Sequence, residues 1–251
     1  IETDNLTIPH PRMTQREFVL RPLAQIAPQV IHPILCLSVA QMLENLRSAK
    51  PSARLVSIIG PPAAGKTTLA EGLAGELDAD VLYEDYQGNP FIADSYLGLS
   101  AADLPCQLYF LLSRAKQLAT AAWPTDGIVV ADYGFCQDAI YAGTFLAGSD
   151  MQAYNHSASR IATLLKRPDL LISLDCPEQV LLDRIARRGR GYEKAMTREF
   201  ISQMRQAYRN LDLAAEARCV MKIDCEAMDF RQALAIQDVA GRVKRMLEEE
   251  K

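Results

Sequence analysis

Beyond residue 53, the hydrophobic and polar positions alternate between two patterns. Short apolar runs predict five strands, at residues 55–59, 80–83, 127–131, 170–174 and 220–223. Between them, apolar residues recur at helical spacing and predict helices at residues 67–77, 104–122, 140–146, 152–165, 178–187, 198–217 and 230–249. Because continuous apolar strands that alternate with helices are typical of parallel sheets, we expect an α/β fold, a five-stranded parallel sheet with helices on both faces.

The first part of the chain has a different pattern. Residues 1–35 contain five of the thirteen prolines, a density that opposes long helices. Segment 17–23 predicts a short strand ended by Pro22, and segment 38–46 predicts one short amphipathic helix. Residues 48–53 have the composition of a linker. We therefore expect a small partial N-terminal segment with its linker at residues 1–50 and a complete domain at residues 51–251.

Composition and charge exclude several classes of protein. The net charge of −4 over 251 residues argues against a broad nucleic-acid-binding surface. No apolar run reaches the length of about 20 residues that a membrane span needs. Six cysteines without CxxC spacing and three scattered histidines form no zinc pattern. We expect a cytoplasmic protein with free thiols and with neither a nucleic-acid nor a membrane partner.

One loop carries a strong signal for nucleotide binding. Residues 60–67 read Gly-Pro-Pro-Ala-Ala-Gly-Lys-Thr and fit the pattern GxxxxGK[ST] between a predicted strand and a predicted helix. Backbone N–H groups at the start of that helix cradle phosphates, Lys66 reaches the β- and γ-phosphates, and Thr67 ligates Mg²⁺. The candidate ATP-binding residues of this loop are Gly60, Ala63, Ala64, Gly65, Lys66, Thr67 and Thr68.

The remaining motifs select a class among the proteins with such a loop. The NKxD motif of GTPases does not occur in the sequence, whereas four arginines lie within residues 184–190 beside two glycines. This composition predicts a lid that closes over the site, excludes water and stabilises the transferring phosphoryl group, with Arg188 and Arg190 as catalytic candidates. The sequence therefore favours a small-molecule kinase.

Two acidic residues follow predicted strands. In a doubly wound sheet, the carboxyl ends of the strands meet at one edge, where chemistry collects. Glu84 follows the second strand and is our candidate for the carboxylate that accepts the proton of an acceptor hydroxyl. Asp132 follows the third strand and is a candidate for supporting Mg²⁺.

Residues 54–251 resemble the deoxynucleoside kinases. The resemblance is carried by Tyr83-Glu84-Asp85-Tyr86-Gln87-Gly88-Asn89-Pro90-Phe91, by the helix segment 105–114 and by the lid 184–193. It implies transfer of the γ-phosphate of ATP to the 5′-hydroxyl of a deoxynucleoside, with Glu84 as the base. It also implies Tyr96, Gln107, Asp132 and Glu193 as residues that bind the acceptor, and Arg184, Arg188, Asp224 and Glu226 as residues near the donor. Pairing of the long helix 104–122 in a homodimer is a further expectation.

One position departs from this family. Where the family carries an acidic residue followed by Arg-Ser, this chain has Asp132-Tyr133-Gly134. We expect Gln137 or Arg114 to compensate in part for the arginine. Two alternatives stay open, a nucleoside monophosphate kinase of the thymidylate type and a nucleotide-binding module without turnover. The first would need an additional arginine, and Tyr133 stands at one of the positions for it.

Residues 3–46 resemble another family, the C-terminal end of 6-hydroxymethyl-7,8-dihydropterin pyrophosphokinase. The resemblance is carried by residues 3–13 and by residues 16–28, which include Arg-Glu-Phe-Val-Leu-Arg-Pro-Leu. It implies a bifunctional fusion of a folate-biosynthesis enzyme with the kinase, and the start at Ile1 instead of Met fits a sequence that begins inside such a fusion. The alternative is a short N-terminal extension used for packing or dimerisation.

Overall fold

The computed structural model describes residues 2–3, 6–10, 13–47, 53–120, 123–226 and 228–248. The strands are β1 (Glu2–Thr3), β2 (Leu6–Thr7), β3 (Arg54–Ile59), β4 (Asp80–Leu82), β5 (Ile128–Ala131), β6 (Leu170–Asp175) and β7 (Cys219–Asp224). The helices are α1 (Glu17–Ile26), α2 (Val39–Arg47), α3 (Lys66–Leu77), α4 (Ile92–Tyr96), α5 (Asp103–Leu118), α6 (Gln137–Phe145), α7 (Gly148–Ala162), α8 (Glu178–Arg188), α9 (Arg198–Arg209), α10 (Leu213–Glu216) and α11 (Ala233–Glu248). Short 3₁₀ helices cover Met13–Gln15, Ser100–Ala102 and Gly191–Ala195.

The main sheet has the strand order β4-β5-β3-β6-β7, and every neighbouring pair is parallel. The predicted five-stranded parallel sheet is therefore confirmed. Strand β3 lies at its centre, and the chain leaves it in one direction to β4 and β5 and in the other to β6 and β7. This reversal of strand order opens a crevice at the carboxyl ends of the strands, which is where ligands bind in such sheets.

Alternate residues of β3 belong to different cores. Val56 and Ile58 join a large cluster with residues of α3, α8 and α11. Leu55 packs with Leu118 of α5, and Ile59 packs with Met204 of α9. Since successive side chains of a strand point to opposite faces, helices cover both faces of the sheet, as the sequence predicts.

Two expectations about individual elements need correction, and one helix is additional. The strand predicted at 17–23 is wrong, because these residues lie in α1 with Pro22 inside the helix. The helix places Leu20 in a small cluster with residues of α2, a packing gain that overrides the proline signal. The predicted helix 198–217 is divided into α9 and α10, with the Asp212 side chain accepting from Ala215 N at the start of α10. Helix α4 was not expected.

The N-terminal segment has a core of its own, formed by Leu20, Val39, Met42 and Leu43. The predicted helix at 38–46 is confirmed as α2. It begins with a capping box, in which Gln41 N donates to Ser38 Oγ (3.1 Å) and Ser38 N donates to Gln41 Oε1 (2.9 Å). The linker of the expected domain division falls largely on residues 48–52, outside the described residues. Within the described parts of the chain, no helix is long and apolar enough to cross a membrane.

Candidate active site

The loop between β3 and α3 is shaped to receive an anion. Gly60 has φ +152°, and a Cβ on it would lie 2.7 Å from the carbonyl oxygen of Leu174, so glycine is required there. Lys66 Nζ donates to the carbonyl oxygens of Gly60 (2.9 Å) and Pro61 (3.2 Å). Burial lowers the pKa of the Lys66 ammonium. The cation and the free N–H groups at the start of α3 therefore converge on one small volume.

Asp132 joins three parts of the crevice. Its Oδ2 accepts from Thr67 Oγ1 (2.6 Å) on α3, and its Oδ1 accepts from Glu84 N (2.7 Å) after β4. Burial raises the pKa of this carboxyl. The two acidic residues predicted at strand ends thus lie together, directly beside the phosphate loop.

The oxygen atoms of Thr67 and Asp132 suit Mg²⁺, which prefers hard oxygen ligands and completes its shell with phosphates and water. Among the described residues, no group of three or more His, Cys, Asp or Glu side chains forms a metal site. The oxygen donors of Thr67 and Asp132 therefore fit an ion that binds together with a nucleotide.

Glu84 is held by its surroundings. Its Oε1 accepts from Gln137 Nε2 (2.7 Å) and from Arg114 Nη2. The loop that carries Glu84 is tied to α5, because Tyr109 OH donates to Asp85 Oδ2 (2.5 Å) and Asn89 Nδ2 donates to the carbonyl of Cys106 (3.2 Å). The position of Glu84 is therefore set by α5 and α6 as well as by the sheet.

A narrow cleft beside Glu84 holds most of the residues predicted to bind an acceptor. The cleft measures about 90 Å³ and is lined by Lys66, Thr67, Glu84, Tyr86, Tyr96, Phe110, Arg114, Asp132, Arg188, Arg190, Tyr192 and Glu193 among others. Tyr96 packs against the rings of Phe145, Tyr192 and Phe200, at centroid distances of 5.2, 5.6 and 6.0 Å. Gln107 does not line the cleft; it is buried on α5, two turns before Arg114.

The arginine-rich segment lies over this cleft. Both Arg188 and Arg190 pair with the buried Glu193, with Arg188 Nε at 3.0 Å from Oε2 and Arg190 Nη1 at 3.6 Å from Oε1. The guanidinium of Arg190 also stacks on the Tyr86 ring at 3.8 Å from its centroid. The segment predicted to form a lid therefore borders the cleft, and its arginines are held by residues of the site.

A larger cavity of about 850 Å³ opens on the other side of the phosphate loop. Eight of the predicted ATP-binding residues line it, Ala63, Gly65, Lys66, Thr67, Thr68, Arg184, Arg188 and Glu226. Gly60, Ala64 and Asp224 do not line it. Gly60 and Ala64 shape the loop instead, with Arg184 Nη1 donating to the Ala64 carbonyl at 3.1 Å, and Asp224 Oδ1 accepts from Glu226 N at 2.9 Å.

Sequence reasoning missed several residues of the two cavities. Met228, Phe230 and Arg231 line the larger one, a few residues after Asp224 and Glu226, which the family resemblance had indicated. Tyr86 lies inside a quoted motif. Both Phe230 and Tyr86 are aromatic residues close in sequence to residues that the resemblance had indicated. An aromatic side chain at such a place is the sequence signal that could have identified them as lining residues.

Comparisons with known proteins match two parts of the chain to two families. The profile described as deoxynucleoside kinase matches residues 56–248, and the profile of 7,8-dihydro-6-hydroxymethylpterin-pyrophosphokinase matches residues 1–28. The deoxyguanosine kinase of Bacillus subtilis is 26% identical over 204 residues, 78% of this chain and 99% of the relative. The deoxyadenosine kinase of Dictyostelium discoideum is 29% identical over 169 residues, 65% of this chain and 69% of the relative.

The N-terminal part has relatives of its own. The folic acid synthesis protein FOL1 of Dictyostelium discoideum is 46% identical over 68 residues, which are 27% of this chain and 10% of the relative.

Among solved structures, a deoxyadenosine kinase from M. mycoides with bound dCTP has the same fold, with a TM-score of 0.64 and 21% identity over 76% of this chain and 99% of that chain. Because the kinase profile covers more than half of the sequence, the chain belongs to the deoxynucleoside kinase family, whose members are ATP-dependent phosphotransferases.

Proposed function

We propose that this enzyme transfers the γ-phosphoryl group of ATP to the 5′-hydroxyl of a deoxynucleoside and yields a deoxynucleoside monophosphate. The observation that carries the proposal is the position of Asp132, whose two carboxylate oxygens accept from Thr67 of the phosphate loop and from the backbone of Glu84. A donor-phosphate site and a carboxylate for the acceptor thus share one crevice. Relatives named for deoxyguanosine and deoxyadenosine support a nucleoside acceptor.

The larger cavity is the proposed donor site. Its volume of about 850 Å³ lies in the range of small-molecule pockets, and it ends at the phosphate loop. The loop amides and Lys66 hold the phosphates of ATP, and Arg184 and Phe230 line the same cavity beside the loop. Thr67 and Asp132 are the residues that would hold Mg²⁺, which neutralises phosphate charge when it is bound.

The narrow cleft is the proposed acceptor site. The 5′-oxygen forms a bond to the γ-phosphorus as the bond from that phosphorus to the ADP oxygen breaks, and Glu84 accepts the hydroxyl proton. Arg188 and Arg190 turn from Glu193 and Tyr86 toward the transferring oxygens. Tyr96 and Glu193 bind the sugar, and Gln107, which is buried outside the cleft in this structure, offers its amide to the base once the cleft opens.

Transfer of labelled phosphate from ATP to a panel of deoxynucleosides and their monophosphates tests this function. We expect labelled monophosphates and no labelled diphosphates. Label on the monophosphate acceptors would favour the thymidylate type, and no transfer despite ATP binding would favour a module without turnover. Glu84→Gln should lower turnover by about 10²–10⁴-fold, the usual contribution of a general base.

We further propose that residues 1–50 and 51–251 are two parts of a folate-synthesis pyrophosphokinase–kinase fusion, supported by the matches to the pyrophosphokinase profile and to FOL1.

We also propose a homodimer that pairs α5. This proposal is supported by Leu112, which is 60% exposed on this helix. Sedimentation analysis of the chain and of Leu112→Arg tests the dimer, because a charge on the paired face should give monomers.

We propose a cytoplasmic location for the enzyme. All six cysteines are free thiols, which supports this location.

A further inference from the structure

The hydrogen bonds from side chains to the Glu84 carboxylate converge on one of its two oxygens. Among the described residues, two side-chain donors reach it, Arg114 Nη2 and Gln137 Nε2 (2.7 Å), and both bind the same atom, Oε1. The donors are almost fully buried, with Gln137 1% exposed, whereas the Glu84 side chain is 22% exposed at the cleft. The carboxylate is therefore fixed from the protein side, with its other oxygen left for the cleft.

Arg114 is itself held in place. Its second nitrogen, Nη1, pairs with Asp138 Oδ1, and its guanidinium lies 5.1 Å from the ring centroid of Phe110 and 5.9 Å from that of Tyr133. Asp138 is buried, so water does not compete with Arg114 for this ion pair. A planar group that is anchored at one end and stacked between rings presents its other end at a defined place.

Gln137 is brought to Glu84 by the turn after β5. Gln137 N donates to the Gly134 carbonyl at 3.1 Å, so the residue begins α6 directly after a tight turn. A Cβ on Gly134 would lie 2.6 Å from Ile59 Cγ2, in the buried core. The turn therefore packs closer to the sheet than a larger residue permits, and the first turn of α6 reaches the crevice.

Tyr133, the residue directly after Asp132, does not take part in the crevice. Tyr133 is fully buried in a cluster with Leu55, Leu118 and Ala131. Any cation or amide that fixes Glu84 must consequently come from another element, and the two that do so lie on α5 and α6.

We propose that Arg114 and Gln137 are positioning residues for the phosphoryl transfer, which hold Oε1 of Glu84 and turn Oε2 toward the acceptor hydroxyl. The inference rests on the proposed function. In the step itself, Oε2 takes the hydroxyl proton while the 5′-oxygen bonds to the γ-phosphorus and ADP leaves. Neither positioning residue touches a reacting atom; each acts through Glu84.

Gln137→Met tests the proposal, because methionine has a similar length and no N–H donor. We expect kcat to fall about 10–100-fold, as for a small misplacement of a catalytic group, with KM for the deoxynucleoside changed less than about threefold. Gln117→Met is the matched control. Gln117 donates from α5 to the backbone carbonyl of Tyr83 at 3.1 Å, next to Glu84 without touching its carboxylate, so kcat should stay near wild type.

A double-mutant cycle separates positioning from a structural role. In a Glu84→Gln background, Gln137→Met should lower the single-turnover rate no further, because its effect passes through the carboxylate. A kcat of Gln137→Met within about threefold of wild type, a change confined to KM, or an additive loss in the double variant would overturn the inference. Because Arg114→Met leaves Asp138 buried and unpaired, Arg114 is tested with the pair Arg114→Met/Asp138→Asn, where we expect the same non-additivity with Glu84→Gln.

The same measurements separate this inference from the proposed function. Full turnover by Glu84→Gln would remove the base and with it the proposed chemistry. A slow Glu84→Gln beside a fully active Gln137→Met would leave the chemistry intact and reject the positioning role alone.

Discussion

Among the proposed site residues, Lys66 is the one on which we expect donor binding and transfer to depend most directly. Its ammonium lies inside the phosphate loop, held by the carbonyls of Gly60 and Pro61. We expect Lys66→Met to lower phosphate transfer by about 10²–10³-fold, because charge that develops on the phosphoryl oxygens loses a preorganised cation. Initial rates with labelled ATP measure this. Lys222→Met, on an exposed position of β7, is the control, and an equal loss there would mean that the effect is not local.

Asp175 makes a pH-dependent contribution to stability. Its carboxylate accepts from Arg205 (2.6 Å from Nε) and Arg209 (2.6 Å from Nη2). Burial alone raises the pKa of Asp175, but these hydrogen bonds outweigh it, so that the pKa lies below its usual value. A carboxyl with a lowered pKa stabilises the fold above the pKa of the unfolded chain and loses that effect as the pH falls through its folded pKa.

Asp175→Asn should therefore lower the free energy of unfolding by about 1 kcal/mol at pH 7, a small value because both arginines are partly exposed and screened. The difference from the wild type should shrink below about pH 4, where the aspartate becomes protonated. Urea unfolding at pH 7, 5 and 3.5 measures it. A difference that stays constant over this range would show that the charge of Asp175 does not contribute.

At the scale of the elements, the proposed lid is the part whose arrangement we expect to change. The cleft of about 90 Å³ is smaller than the roughly 300 Å³ of small-molecule pockets, so we expect the proposed deoxynucleoside acceptor to enter when the segment from Arg188 to Glu193 moves. In this structure, the segment is held by Glu193 and by the stacking of Arg190 on Tyr86.

Tyr86→Leu should loosen the lid. Loss of a cation–π contact of about 0.5–1 kcal/mol is expected to speed amide hydrogen exchange at residues 188–193 by about two- to fivefold. Hydrogen exchange followed by mass spectrometry measures this in the protein without nucleotide. Phe91→Leu, a partly exposed aromatic of the same loop, should leave exchange in the lid unchanged. Equal exchange in Tyr86→Leu and wild type would mean that stacking does not hold the lid.

Some elements were predictable from local pattern and others were not. The strands of the main sheet are apolar runs between turns, and each lies within a residue or two of its expected position. Residues 17–23 carry β-branched and aromatic side chains beside a proline, which favours a strand locally. Packing against α2 favours the helix over the strand, because it buries Leu20. Helix α4 is too short for its periodicity to be recognised.

At the scale of the whole molecule, the N-terminal cluster of Leu20, Val39, Met42 and Leu43 is separate from the clusters around the sheet. We expect a chain that begins at residue 53 to keep kcat/KM for phosphate transfer within about twofold, because a domain with its own core folds by itself. Steady-state kinetics of the shortened and full chains measure this. An insoluble or inactive shortened chain would show that the first segment supports the kinase fold.

The sequence by itself determined the parallel sheet, the phosphate loop and the residues that follow the strands, since these depend on local periodicity and on motifs whose spacing is short. Only the tertiary structure decided which groups meet. Arg114 and Gln137 are 30 and 53 residues from Glu84 along the chain, yet both bind its Oε1. Contacts of this kind arise from how helices dock on a sheet, and that docking depends on the complementarity of whole surfaces instead of on any local pattern.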